Sequence, residues 1–142
     1  MANPRLTVGF EGLDAEYVTM EIDNSSITFD GTKVGGSAQV GLAVTFSAAG
    51  TVALVADADH VVGKLISVER DGFCTVQTRG TMTLPGGDGA TLTLNLPIVG
   101  DLGPDSAKGY VRIANSAVAA ELAKARGEIR DATTTTAVVV SL

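Results

Sequence analysis

One imidazole, one thiol and one glycine-rich loop are the groups in this sequence whose types and spacing could support chemistry. His60 closes the run Asp57-Ala58-Asp59-His60, and any Ser-His-Asp relay or histidine-ligated metal would have to be built on it. Asp57 and Asp59 would share one face of a strand and could hold a divalent cation. Carboxylates are usually solvated surface groups, however, so the run reads as a polar turn between two strands. Cys74 would need a nearby cation or a helix N-terminus to become a nucleophilic thiolate. Its strand neighbour on the same face is Val76, which makes it a packed, inert thiol. Gly86-Gly87-Asp88-Gly89 is not followed by the Gly-Lys-Ser/Thr of a phosphate loop, and a strand pattern rather than a helix comes next. No catalytic residue, cofactor-binding residue or metal ligand set is assigned, and the chain reads as a non-enzyme.

The composition says what kind of scaffold carries these groups. A chain of 142 residues fits one domain, and 17 Gly, 17 Val and 16 Thr against four Phe, two Tyr and no Trp favour pleated, turn-rich architecture. The formal net charge of -6 repels nucleic acid unless a basic face is segregated. The segregation runs the other way: residues 1–31 hold six acids (Glu11, Asp14, Glu16, Glu21, Asp23, Asp30) and one base, Arg5. One cysteine excludes an intramolecular disulfide framework. No apolar run approaches the ~20 residues of a membrane span, and MANPRLTVGF lacks a basic start followed by an apolar stretch. The expectation is a soluble protein made in a reducing cytoplasm, with neither nucleic acid nor membrane as partner.

Periodicity supplies the elements. YVTMEI (17–22) alternates Val18, Met20 and Ile22 against Tyr17, Thr19 and Glu21, and a shorter apolar run, ITF, follows at 27–29. VGLAVTF (40–46) and TVALVA (51–56) read as a hairpin. Residues 61–79 read as a second one around Asp71-Gly72, a pair that tolerates positive φ in a tight turn. TLTLNLP predicts a strand with Leu92, Leu94 and Leu96 on one face, and another is expected near Tyr110 to Ile113. AVAAELAKAR (117–126) predicts one short helix, with Asn115 or Ser116 as N-cap and Gly127 as its stop. The unbroken apolar run at Val138 to Val140 predicts a strand buried on both sides or paired inside a barrel. The fold class expected is all-β: a small β-barrel of short antiparallel strands, one short helix near the C-terminus, and an N-terminal arm or hairpin. The division expected is an acidic arm or hairpin at 1–38 and a barrel at 39–142.

The candidate binding residues lie in the acidic end. Phe10, Tyr17 and Phe29 are three of the six aromatics, interleaved with acids that include Glu11 and Glu21, in too little chain to bury them in a core of its own. Aromatic anchors in charged surroundings are the composition of an interface. Two arrangements fit: an arm that docks on another chain, or a first hairpin of the barrel with a solvated acidic face.

From about Val40 onward, the order of segments VVGKLISVERDGFCTVQTRGTMTLPGG, IVGDLGPDSAKGYVRIA and AVAAELAKARGEIRDATTTTAVVVSL resembles the phage capsid cement proteins of the small β-barrel decoration type. The resemblance implies a head-stabilising virion protein, assembled as a homotrimer on the outer surface of an icosahedral capsid and contacting several copies of the major capsid protein. It implies no catalytic residue and carries no binding residue to a named position. The alternative is a phage tail or adhesion β-module that binds a glycan or a host surface.

Overall fold

Alternation of period two places the first strand and decides which of its faces meets the core. In the computed structural model, which describes residues 14–142, β1 (Glu16–Ile22) buries Met20 and Ile22 and leaves Tyr17, Thr19 and Glu21 exposed. The strand ends at Asp23, whose carboxylate accepts the backbone N–H groups of Ser25, Ser26 and Ile27 and the Ser26 hydroxyl. Ser26 Oγ in turn accepts the Leu54 N–H at 2.9 Å, which draws the turn onto the neighbouring strand. Ile27 of the apolar run 27–29 is fully buried there, and the run forms no strand.

Two hairpins supply the rest of a closed barrel. β2 (Ala43–Ala48) and β3 (Thr51–Leu54) pair antiparallel, as do β4 (Gly63–Val68) and β5 (Phe73–Arg79). The second turn uses Gly72 at φ 88 as the Asp71-Gly72 signal requires. The closed order is β1-β3-β2-β4-β5, with β1 returning to β5. Every pairing is antiparallel except β1 with β3, which run parallel through Glu21↔Thr51 and Ile22↔Val52. Ile22, Ile27, Val44, Val52, Leu65 and Val76 fill the interior. Gly63 lets β4 and β5 approach, because a Cβ there would lie 2.0 Å from the Gln77 carbonyl oxygen.

A second layer follows in the order β6 (Thr81–Leu84), β7 (Ile98–Asp101), β8 (Tyr110–Ile113), helix α1 (Ala119–Lys124), β9 (Glu128–Asp131) and β10 (Val138–Ser141). β6, β10 and β9 form one sheet with β10 central, which accounts for the apolar run of β10; β7 and β8 form a separate ribbon. Met82, Leu84, Ile98, Ile129, Val138 and Val140 make a second core, to which the barrel contributes Ala43, Val55 and Val61.

The fold is thus mostly strand, with a small closed barrel and a single short α-helix among the described residues. Three expectations change in detail. Of the two arrangements left open for the acidic end, residues 16–22 follow the one inside the barrel, as a single strand ahead of the expected boundary at 39, because Met20 and Ile22 are needed to close the core. Residues 90–96 form no strand: Leu92 packs on the second core, whereas Asn95 adopts φ 68 and Leu94 and Leu96 stay exposed. The helix is shorter than 117–126, and Asn115 Oδ1 caps the Ala117 N–H rather than the helix proper.

Truncating Ile22 to Ala removes a side chain that is 3% exposed and is expected to cost ~2–5 kcal/mol by urea denaturation. A chain beginning at residue 23 loses a closing strand of the barrel, and should show no cooperative thermal transition by calorimetry. A cooperative transition in that chain would mean that β1 is dispensable.

Candidate partner-binding face

Because the inner face of β1 is committed to the core, the residues opposite them must form an outer wall with β5. In register, Tyr17 lies opposite Gln77, Thr19 opposite Thr75, and Glu21 opposite Phe73. Tyr17 is 54% exposed and Phe73 41%, and four residues of strand separate their levels by ~13 Å. The result is a strip with an aromatic group near each end, two hydroxyls between them and a carboxylate beside Phe73. Gln77 does not contribute, since its side-chain amide donates to the carbonyls of Arg79 and Thr81. Aromatic groups held rigidly on a sheet and left in water are efficient anchors, burying large areas at little entropic cost.

Of the sequence-assigned binding residues, Tyr17 and Glu21 come together on this strip. Phe29 does not: it lies in the loop after β1 against Gly31 and Gly36. Phe10 and Glu11 lie outside the described residues. Sequence reasoning misses Phe73 because it reads as the residue after a turn, and only the pairing with Glu21, more than 50 positions away, places it on this wall. Phe46 on β2 is a further exposed aromatic, at 52%.

The Asp57 to His60 run is the polar turn expected, with a structural task. Asp59 Oδ2 accepts the Ala56 N–H at 2.8 Å, and His60 Nδ1 donates to the Lys124 carbonyl at 2.8 Å, tying the end of α1 to the turn. Cys74 is buried, and burial pushes its thiol pKa up, against an opposing hydrogen bond from the Met20 backbone. Among the described residues, no group of three or more His, Cys, Asp or Glu is arranged to hold a metal ion, and no helix is long and apolar enough to cross a membrane.

The strongest charge cluster has no signal in the sequence. Arg112 on β8 holds Glu121 of α1 through two parallel bonds of 2.9 Å and Asp57 through Nε and Nη2. The Arg112 hydrogen bonds, together with the Asn115 N–H, depress the Glu121 pKa to about 2. Glu121 in turn leads the interactions that raise the Arg112 pKa. Asp101, 3.8 Å from Arg112 Nε, goes the other way: burial raises its pKa, Asp57 and Asp88 add repulsion, and the Leu102 N–H and Arg112 only partly compensate. Arg112, Glu121, Asp101 and Asp88, but not Asp57, line a cavity of ≈ 740 Å³ between β8, α1 and the 88–97 loop, within the ~300–1,000 Å³ span of ligand sites. Among the described residues, its polar groups include no paired nucleophile and base.

No family model, curated protein or solved structure matches this chain.

Through burial of its carboxylate, Asp101 makes the stability of the fold depend on pH. Its folded pKa lies above the unfolded value, so the native state loses stability as pH rises through the window that starts near the ordinary carboxylate range. Asp101→Asn is therefore expected to raise the melting temperature at about pH 7 and to leave it unchanged at about pH 2.5, where both states are protonated. A lower melting temperature at neutral pH would show that the Arg112 contact outweighs burial. Cys74 should react with a thiol reagent only at the rate of unfolding, as monitored by absorbance in native buffer.

Proposed function

We propose that this chain is a structural virion protein that binds the outer surface of an assembled tailed-phage capsid and cements major capsid subunits together. The observation that carries the reading is the outer wall of β1 and β5, where Tyr17 and Phe73 stand exposed on a closed barrel with Glu21 beside them. The resemblance of the segment order to that of capsid cement proteins supports it, and so does a closed barrel with one short α-helix among the described residues, the architecture that resemblance implies.

The mechanism is linkage. A subunit that binds only the expanded, assembled shell stabilises that state by RT ln(1 + [L]/Kd) at each site, and the effect is summed over many copies. Individual contacts of modest strength suffice. Self-association adds avidity, because a second subunit of the same oligomer meets its site at an effective concentration set by the first. Function on this reading resides in surface complementarity, which is why the wall residues rather than the buried thiol or the single histidine are assigned to it.

Purified chain mixed with undecorated, expanded heads of the phage that encodes it is expected to co-sediment with them and to raise the temperature at which they release DNA. Replacing Tyr17 and Phe73 together by Ala should leave the far-UV spectrum unchanged and lower head occupancy at least tenfold. Wild-type occupancy by the double variant would remove the wall from the interface. Labelled chain on tails rather than heads would replace the capsid reading by the adhesion one.

A further inference from the structure

Lys33 and Val34 form the tip of a loop between β1 and β2, and Val34 is 94% exposed, more than any other large apolar side chain described. The loop is fixed by its own backbone. Thr32 N–H and Oγ1 donate to Asp30 Oδ1, Lys33 N–H donates to the Asp30 carbonyl, and Gly36 closes the turn by donating to the Lys33 carbonyl at 3.1 Å. Gly36, at φ 83, anchors it to β4: a Cβ there would come within 1.9 Å of the Val68 carbonyl oxygen. None of these contacts uses the Val34 side chain, and the Lys33 ammonium acts only as a charge near Asp30. The molecule therefore presents a preorganised knob of one cation followed by one aliphatic group, and a preorganised element loses little entropy on docking.

The cavity beside Arg112 has the complementary character. Among the described residues Arg112 is its one base, and it is engaged by Glu121 and Asp57. Asp88 makes no ion pair among the described residues, and Asp101 meets Arg112 only at 3.8 Å, so the groove keeps an excess of negative charge. Its walls are aliphatic, with Leu96 41% and Leu122 46% exposed. We propose that the Lys33–Val34 tip of one copy of this chain docks into the groove of a second copy, the ammonium toward Asp88 and Asp101 and the valine against Leu96 and Leu122.

Knob and groove are different surfaces, so the contact is heterologous: it runs head to tail and closes into a ring when the rotation per subunit divides a full turn. The inference stands apart from the capsid reading, since a ring of this kind forms in solution without a shell.

Sedimentation velocity on the full chain at ~10–500 μM tests it. Wild type is expected to self-associate. Lys33→Glu and Asp88→Lys should each weaken association at least tenfold, and the double variant K33E/D88K, which restores opposite charges across every contact, should recover it. Both positions are exposed, and circular dichroism checks that each variant is folded. In a second arm, Val34→Cys mixed with Leu122→Cys under mild oxidation should give the mixed disulfide dimer in preference to either homodimer. A wild type monomeric throughout the range overturns the proposal, as does either single charge substitution without effect, a double variant no better than the singles, or cross-linking dominated by a homodimer of either cysteine variant.

Discussion

A single guanidinium spans the seam between the two hydrophobic cores. Arg126 Nη1 donates to the Val62 carbonyl and Nη2 to the Thr78 carbonyl, each at 2.6 Å, where β4 begins and β5 nears its end. Its backbone exchanges two hydrogen bonds of 3.0 Å with Ile98, the first residue of β7. Burial pushes its pKa down, Arg79 adds like-charge repulsion, and Glu16 opposes both; an arginine nonetheless remains charged at any ordinary pH. Carbonyl oxygens, which have lone pairs to spare, offset the desolvation of this cation without a dedicated carboxylate. The seam also requires closeness. At Gly100 a Cβ would lie 2.3 Å from the Ala56 carbonyl oxygen, so the β7–β8 ribbon can rest on the barrel only because that position has no side chain.

With the layers joined in this way, the edges of the sheets are largely occupied. The barrel has none. β9 exchanges hydrogen bonds with Asn95 and Leu96, β8 with Pro85 and Gly87, and β7 with Ala58 and Asp59. The irregular 85–97 stretch thus does for β8 and β9 what further strands would do, satisfying backbone groups that would otherwise invite strand addition. The associations proposed for this molecule consequently use side-chain surfaces: the aromatic strip of β1 and β5, the tip at Lys33 and Val34, and the groove beside Arg112.

Local features are legible in the sequence. The Asp71-Gly72 hairpin, the alternation of residues 17–22 and the apolar run of β10 each follow from chemistry within a few residues, and each forms where the pattern places it. What the pattern cannot contain is the partner of each strand. β1 looks separable in sequence because its acidic, aromatic face is conspicuous, while the need for Met20 and Ile22 emerges only once β3 and β5 flank them. TLTLNL carries a strand's alternation, yet a left-handed Asn95 breaks the extended backbone, and of its three leucines only Leu92 packs against the second core. The same non-locality hides the candidate site. Tyr17 and Glu21 are identifiable from composition, but Phe73 joins them only through register. Arg112 is likewise inconspicuous in sequence, because Asp57 lies 55 positions away.

Helix α1 is the element whose stability is hardest to attribute to the chain alone. It has six residues, none buried, and no side chain caps its start. A helix so short does not persist in water by propensity. What holds it is charge and one imidazole: Glu121 on Arg112, and the Lys124 carbonyl on His60. Those contacts fix its orientation while leaving Val118 and Leu122 in solvent, beside a groove whose Asp101 is held in an environment that penalises its charge. A groove built in this way is unfavourable in the isolated chain on two counts, exposed aliphatic area and a desolvated carboxylate. Both are relieved by one type of occupant, a cation carried next to an aliphatic group, and by neither alone. Sites that bind trade stability for complementarity, and it is on that ground that this corner of the molecule is proposed as an interface and not as a strut.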